Sequence, residues 1–107
     1  MIATAIADKK SAEALAEALV AGRLAACVQI LPVESWYRWK GVVERADEFL
    51  LQAKTTAARA EATQALIAKL HGYELPEITV TRVAGGSAAY LEWVERSVEE
   101  APSDTSD

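Results

Sequence analysis

Three stretches of this 107-residue chain carry apolar side chains on both alternations of an extended strand: residues 1–7 (MIATAIA), 25–31 (AACVQIL) and 49–54 (FLLQAK). Successive side chains of a strand point to opposite faces of its sheet, so strands apolar on both faces need cover on both. A chain of this length has room for one hydrophobic core and one domain. Any fold it adopts must therefore shelter a sheet that is greasy on two sides.

The segments between these strands say how much shelter the chain can supply. Asp8 is placed to cap a helix by accepting backbone N–H groups, and Gly22 to end it with the permissive conformation common just past helix ends. Between them Ala12, Leu15, Ala16 and Leu19 recur at helical spacing. In residues 25–31, Ala26, Val28 and Ile30 occupy one face and Ala25, Cys27 and Leu31 the other, which predicts a strand buried on two sides. Pro32 is expected to break or bend the ladder, after which residues 33–43 (VESWYRWKGVV) turn through Lys40-Gly41 as an extended hairpin. Glu44 to Glu48 reads as a polar interruption before strand character resumes at Phe49 to Lys54.

Thr55 or Thr56 is expected to cap a second helix running to about Leu70, with Ala62, Leu66 and Leu70 on its apolar face. Glu61 near its positive end and Lys69 near its negative end favour the helix dipole. Gly72 stops that helix, and residues 72–77 (GYELPE) cross over, with Leu75 pushed toward extended geometry by Pro76. Residues 78–83 (ITVTRV) predict the last strand, and Ser87 caps a short final helix whose apolar face holds Tyr90, Leu91 and Val94 beside Trp93. Residues 1–98 form one domain in this reading, and residues 99–107 an acidic, flexible tail.

The order βαββαβ plus a terminal helix is the ferredoxin-like pattern of an α/β (α+β) domain, in which both helices cover one face of a four-stranded antiparallel sheet. In a monomer the second face should alternate toward polar residues. Here it reads apolar, and the simplest cover is another copy of the chain. At roughly 25 cal/mol per Å² of apolar surface, an uncovered face would forfeit several kcal/mol, comparable with the stability of a small domain. Trp36, Tyr37 and Trp39 crowd the hairpin turn, where they serve either as anchors between subunits or as rings folded back over the domain's own core.

Charge narrows the partners. Of the formal net charge of -5, most falls in the tail, leaving the folded body near neutral. No basic block interleaved with aromatic residues is present, so nucleic acid and polybasic membrane attachment are not expected. The opening residues have neither a basic region nor a long apolar stretch, which leads to the expectation of an untargeted, cytoplasmic protein. Cys27 is the one cysteine, so an intrachain disulfide is excluded, and a zinc site would need ligands beyond Cys27 and the one histidine, His71.

The residues also carry a family resemblance. Residues 12–41 (AEALAEALVAGRLAACVQILPVESWYRWKG), 44–56 (ERADEFLLQAKTT), 71–78 (HGYELPEI) and 85–93 (GGSAAYLEW) resemble the CutA family, in family order over nearly the whole chain. The resemblance implies a ferredoxin-like subunit in a compact homotrimer with the architecture of the PII regulatory proteins. It also implies a link to divalent-cation tolerance, with copper or other divalent ions as ligands. One position departs from the family's HPYEVPEI pattern: Gly72 stands where proline is usual, and is expected to end the helix through left-handed geometry.

Candidate site residues follow. Cys27 and His71 are the softest metal ligands of the chain and would hold copper or another divalent cation if assembly joins them; the plain alternatives are a core thiol and a helix-end imidazole. Lys54, Tyr73, Glu74 and Glu77 are expected to converge beside Trp39 and Tyr90 in a cleft between subunits. Such a cleft would bind a small anion or organic ligand with Lys54 supplying charge, or else Lys54 simply pairs with Glu74 or Glu77. Glu44, Asp47 and Glu48 do not match a calcium loop and read as solvated. No GxSxG, P-loop, GxGxxG or HExxH motif occurs, so no enzyme and no organic cofactor are expected. The leading function is a trimeric divalent-cation (copper) tolerance protein. The alternative is a PII-like signalling or scaffold trimer that binds a metabolite or protein in its clefts.

Overall fold

The computed structural model describes residues 1–99. The elements run β1 (Ile2–Ile6), α1 (Lys9–Ala21), β2 (Cys27–Trp39), β3 (Val42–Lys54), α2 (Ala57–Leu70), β4 (Thr79–Val80) and α3 (Ala88–Ser97). The strands form one antiparallel sheet in the order β2-β3-β1-β4. The expected βαββαβ order with a terminal helix is thus present; the tail assigned to residues 99–107 lies, beyond Glu99, outside the described residues.

Local chemistry explains most boundaries. Asp8 accepts from the Ser11 N–H at 2.7 Å and starts α1, and the Ser87 hydroxyl accepts from the Tyr90 N–H at 3.1 Å and starts α3. Thr56 occupies the N-cap of α2 without a side-chain cap bond, while Thr55 Oγ1 donates to the Leu24 carbonyl at 2.7 Å. The end of α1 departs from expectation. Gly22 has φ −83, and the left-handed residue is Arg23 at φ 59. Glycine is favoured at 22 for space instead, since a Cβ there would stand 3.0 Å from the Ala18 carbonyl oxygen. Gly72 likewise has no positive φ and open space around it; α2 ends because His71 turns extended, at ψ 142.

The core lies between the helices and one face of the sheet. Register aligns Ile2, Thr4 and Ile6 with Ala53, Leu51 and Phe49, and these with Val28 and Ile30 of β2. Ala12, Leu15 and Leu19 of α1 pack there as their spacing predicts. In α2 the buried stripe is Thr63 and Ile67 with Ala60 and Leu66 partly buried, so the face is rotated from the expected Ala62, Leu66 and Leu70; Leu70 is exposed. A buried threonine displaces the apolar pattern: Thr63 Oγ1 lies 2.8 Å from both the Leu24 and Arg59 carbonyls and so is satisfied inside.

The other face is only partly apolar. Ala5, Leu50 and Leu31 align across it, but so do Ala3, Gln52 and Gln29, and Lys54 Nζ donates to Gln29 Oε1 at 2.9 Å. Nor is β2 buried on two sides. It is an edge strand, with Gln29 and Leu31 exposed, and this is why Pro32 passes without a break: an edge strand tolerates a missing N–H. The polar residues 44–48 belong to β3, whose ladder with β2 continues unbroken from Trp39–Val42 to Cys27–Lys54. Lys40 and Gly41, at φ 52 and 82, join the two strands in the double positive-φ turn that matches strand twist. Of the expected strand 78–83, only Thr79 and Val80 pair as a strand, extended by Met1–Thr81 backbone bonds.

Candidate functional site

Because β4 is so short, the outer edge of β1 is unpaired at Ala5, and a side chain closes it. His71, directly after α2, places Nε2 at 2.8 Å from the Ala5 carbonyl, while its Nδ1 accepts the Tyr73 N–H at 3.2 Å. The ring is therefore the Nε2–H tautomer, with both nitrogens engaged. Its contact with the Tyr73 ring, at 4.8 Å between centroids, fixes the start of the loop 72–77.

That loop faces the arm formed by the distal halves of β2 and β3, and an open cleft of about 800 Å³ lies between them. Ser35 to Trp39 line one side, Gly72 to Leu75 and Glu77 the other, with Ala5 and Glu48 at the base. Register puts Ser35, Tyr37, Trp39 and Glu48 on one face of the arm and Trp36 and Arg38 on the other. On that second face the Trp36 indole donates to Glu34 at 2.6 Å, and Glu34 and Asp47 hold Arg45 at 3.2 and 2.8 Å. The Trp36 indole and then the Arg45 guanidinium hold the Glu34 carboxyl below its ordinary value.

Glu48 is the unusual residue of the cleft. It is 7% exposed, and its hydrogen-bond partner is the Tyr73 hydroxyl, which donates to Oε2 at 2.6 Å. Partial burial, then the Glu48 carboxylate, push the Tyr73 phenol well above its ordinary value. The sign follows directly: a neutral phenol is favoured by the folded state, so this contribution is present below about pH 10 and is lost as the unfolded chain's tyrosine ionises above it. Tyr73→Phe is expected to lower stability by about 1–2 kcal/mol near neutral pH, by stripping a buried carboxylate of its donor. It should also flatten the alkaline fall in stability, which urea denaturation at pH 8 and pH 11 would measure.

The cleft unites Trp36, Tyr37, Trp39, Tyr73, Glu74 and Glu77 as lining residues, but not Lys54 or Tyr90. Lys54 pairs with Cys27 in register, six residues along β3 from Glu48 and so roughly 20 Å away. Tyr90 lies on α3, its ring 5.5 Å from Trp93 and both exposed. Neither Glu74 nor Glu77 has an ion-pair partner among the described residues. Arg38 is the one cation of the lining, and its Nη1 is turned to the Gly41 carbonyl at 3.5 Å. The expected lysine-bearing anion cleft is thus acidic. Glu48, read from the sequence with Glu44 and Asp47 as solvated, is instead buried; its parity opposite Val33 is the available signal.

Cys27, half-buried at the start of β2, and His71 do not meet within one chain. His71 reaches Ala5, level with Leu50, whereas Cys27 is level with Lys54 on the far side of β3, about 13 Å along the strand. Among the described residues no group of three or more His, Cys, Asp or Glu side chains is placed to hold a metal ion. No helix among them is long and apolar enough to cross a membrane.

An open antiparallel sheet covered on one face by two crossover helices, with a long hairpin arm and an acidic cleft beneath it, defines an α/β protein of βαββαβα topology. The model of the family described as CutA1 divalent ion tolerance protein matches residues 1–97. The chain belongs to that family. It is 38% identical over 99 residues to the human protein CutA, covering 92% of this chain and 55% of the human one, so it spans about half of that longer relative. A structure of the divalent cation tolerance protein from Thermus thermophilus superposes with a TM-score of 0.88 at 36% identity, covering 92% of this chain and 96% of that one. The PII-like protein CutA from Nostoc sp. PCC 7120, in apo form, gives 0.86 at 32% identity over 92% and 95% of the two chains.

Proposed function

We propose that this chain works as a homotrimer that contributes to divalent-cation tolerance, with copper as its ion, in the cytoplasm. Support for the activity comes from the family match over residues 1–97. Support for assembly comes from the apolar row Ala5–Leu50–Leu31 on the face opposite the helix-side core, where Leu31 is 39% exposed. A site using both Cys27 and His71 takes them from different copies, because one chain holds them apart. The His71 ring must also give up its bond to Ala5 or to Tyr73 to ligate.

Titrating the reduced, assembled protein with Cu(I) and Cu(II) tests this. Stoichiometric binding that weakens at least about tenfold, or roughly 1.4 kcal/mol, in a Cys27→Ala, His71→Ala variant is expected. Equal binding by the variant removes these ligands, and no binding at all removes direct copper capture.

The cleft supports a second reading, that of a PII-like trimer whose arms and loops receive a small molecule. The observation favouring it is a preformed cleft of about 800 Å³ that joins aromatic rings to carboxylates, within the usual range for small-molecule sites.

A further inference from the structure

We infer that the cleft binds an organic ammonium ion: a compound with a protonated amine and an apolar body. This rests on the second reading above and gives it a ligand class.

The argument begins with the sign of the charge. Three carboxylates, Glu48, Glu74 and Glu77, line the cleft, and its one guanidinium is turned toward the hairpin turn. Glu48 is the informative member. Burying a carboxylate is costly unless its oxygens find donors; Oε2 has one from Tyr73, while Oε1, which has none among the described residues, is not closed off from solvent in the cleft that Glu48 lines. A donor from a ligand would complete it.

The second observation is the kind of wall. The rings of Tyr37 and Trp39 share the arm face that carries Glu48, and Tyr73 stands opposite on the loop. Aromatic faces attract cations and cover their apolar bodies. Trp39 already does this within the chain, with Lys40 Nζ 5.7 Å from its ring centroid. A bare divalent ion suits the place poorly, since hard cations need six or more oxygens in close array and no cluster of three acidic, His or Cys side chains is so placed among the described residues. An ammonium group needs only a few acceptors, and rings around its carbon body replace water. The cleft volume accommodates a ligand of several carbons beyond the charged group.

Phenethylammonium, its neutral counterpart phenethyl alcohol and its anionic counterpart phenylacetate separate charge from shape. Calorimetric titration of the full-length, assembled protein should show saturable binding of the ammonium alone, weakening as salt is raised. Amide shifts in nuclear magnetic resonance should concentrate in residues 72–77. Binding should fall at least tenfold in Glu74→Gln, Glu77→Gln, both exposed positions whose change leaves the core intact, and also in Glu48→Gln. Equal binding of the neutral compound would show a merely apolar pocket and overturn the inference. So would absence of binding with residues 72–77 unshifted, the result expected if a second copy fills the cleft. Copper titration of the same samples keeps the two readings apart: copper bound without ammonium sinks only this inference, and ammonium bound without copper sinks only the copper proposal.

Discussion

With glutamate in place of both Leu31 and Leu50, the protein is expected to sediment as a single chain of 11.5 kDa, whereas the parent is expected at three times that mass. The two leucines are partners in the β2–β3 register, on the face opposite the helix-side core, and Leu31 is 39% exposed. An assembled sheet would seal both against a neighbouring copy. Two carboxylates there would have to be buried without partners, at a cost of several kcal/mol per subunit, enough to dissociate a micromolar complex. Because neither residue belongs to the helix-side core, the far-ultraviolet circular dichroism of the variant should match the parent. A variant that still runs as a trimer would place the interface elsewhere, and a parent that runs as one chain would remove the assembly.

Leu19→Ala is expected to cost about 3 kcal/mol of unfolding free energy and to lower the melting temperature by roughly 15 °C at fixed protein concentration. Leu19 has 0% exposure and sits at the centre of the cluster joining α1 to Leu51, Ala53 and Ile67. Truncation leaves a void that rigid neighbours on three elements cannot close. Leu70→Ala is the matched control. At 48% exposure, on the solvent side of α2, it should cost less than about 0.5 kcal/mol. Urea titration with an unchanged slope would read both values, and equal losses at the two positions would contradict the rotated face of α2.

That rotation shows where sequence reasoning succeeds and fails. Helix α1 is legible because its inward face is made of Ala12, Leu15 and Leu19, apolar residues with nothing to compete. Helix α2 is not, because Thr63 turns inward and bonds backbone carbonyls, one of them from a distant part of the chain. A hydroxyl can be core only when its acceptors exist, and the periodicity of one segment cannot reveal them. The caps at Asp8 and Ser87 and the Lys40-Gly41 turn are readable since each depends on residues close in sequence.

Features set by register are harder. The run from Glu44 to Glu48 reads as a loop because the arm extends beyond the helix layer, so polar side chains suit it on both faces. Four of the six expected cleft residues, Trp39, Tyr73, Glu74 and Glu77, line one cavity with Trp36 and Tyr37 of the arm, since the loop 72–77 and the residues around the turn are brought together by the crossover. Lys54 and Tyr90 fall outside it, the lysine for a metric reason: strand residues rise by about 3.3 Å each, and six of them exceed the reach of its side chain. Without the lysine the cleft changes the sign of its charge, and with it the kind of molecule it suits.

The edge position of β2 has a further consequence for solubility. A thirteen-residue ribbon with one open flank offers a row of amides on which foreign strands can stack without limit. Pro32 interrupts that row near its midpoint, and Glu34 and Arg38 set charges of opposite sign beyond it, so an incoming strand meets a missing donor and then a salt-sensitive barrier. The same proline that reads as a flaw in the ladder acts as a gatekeeper against fibrous growth.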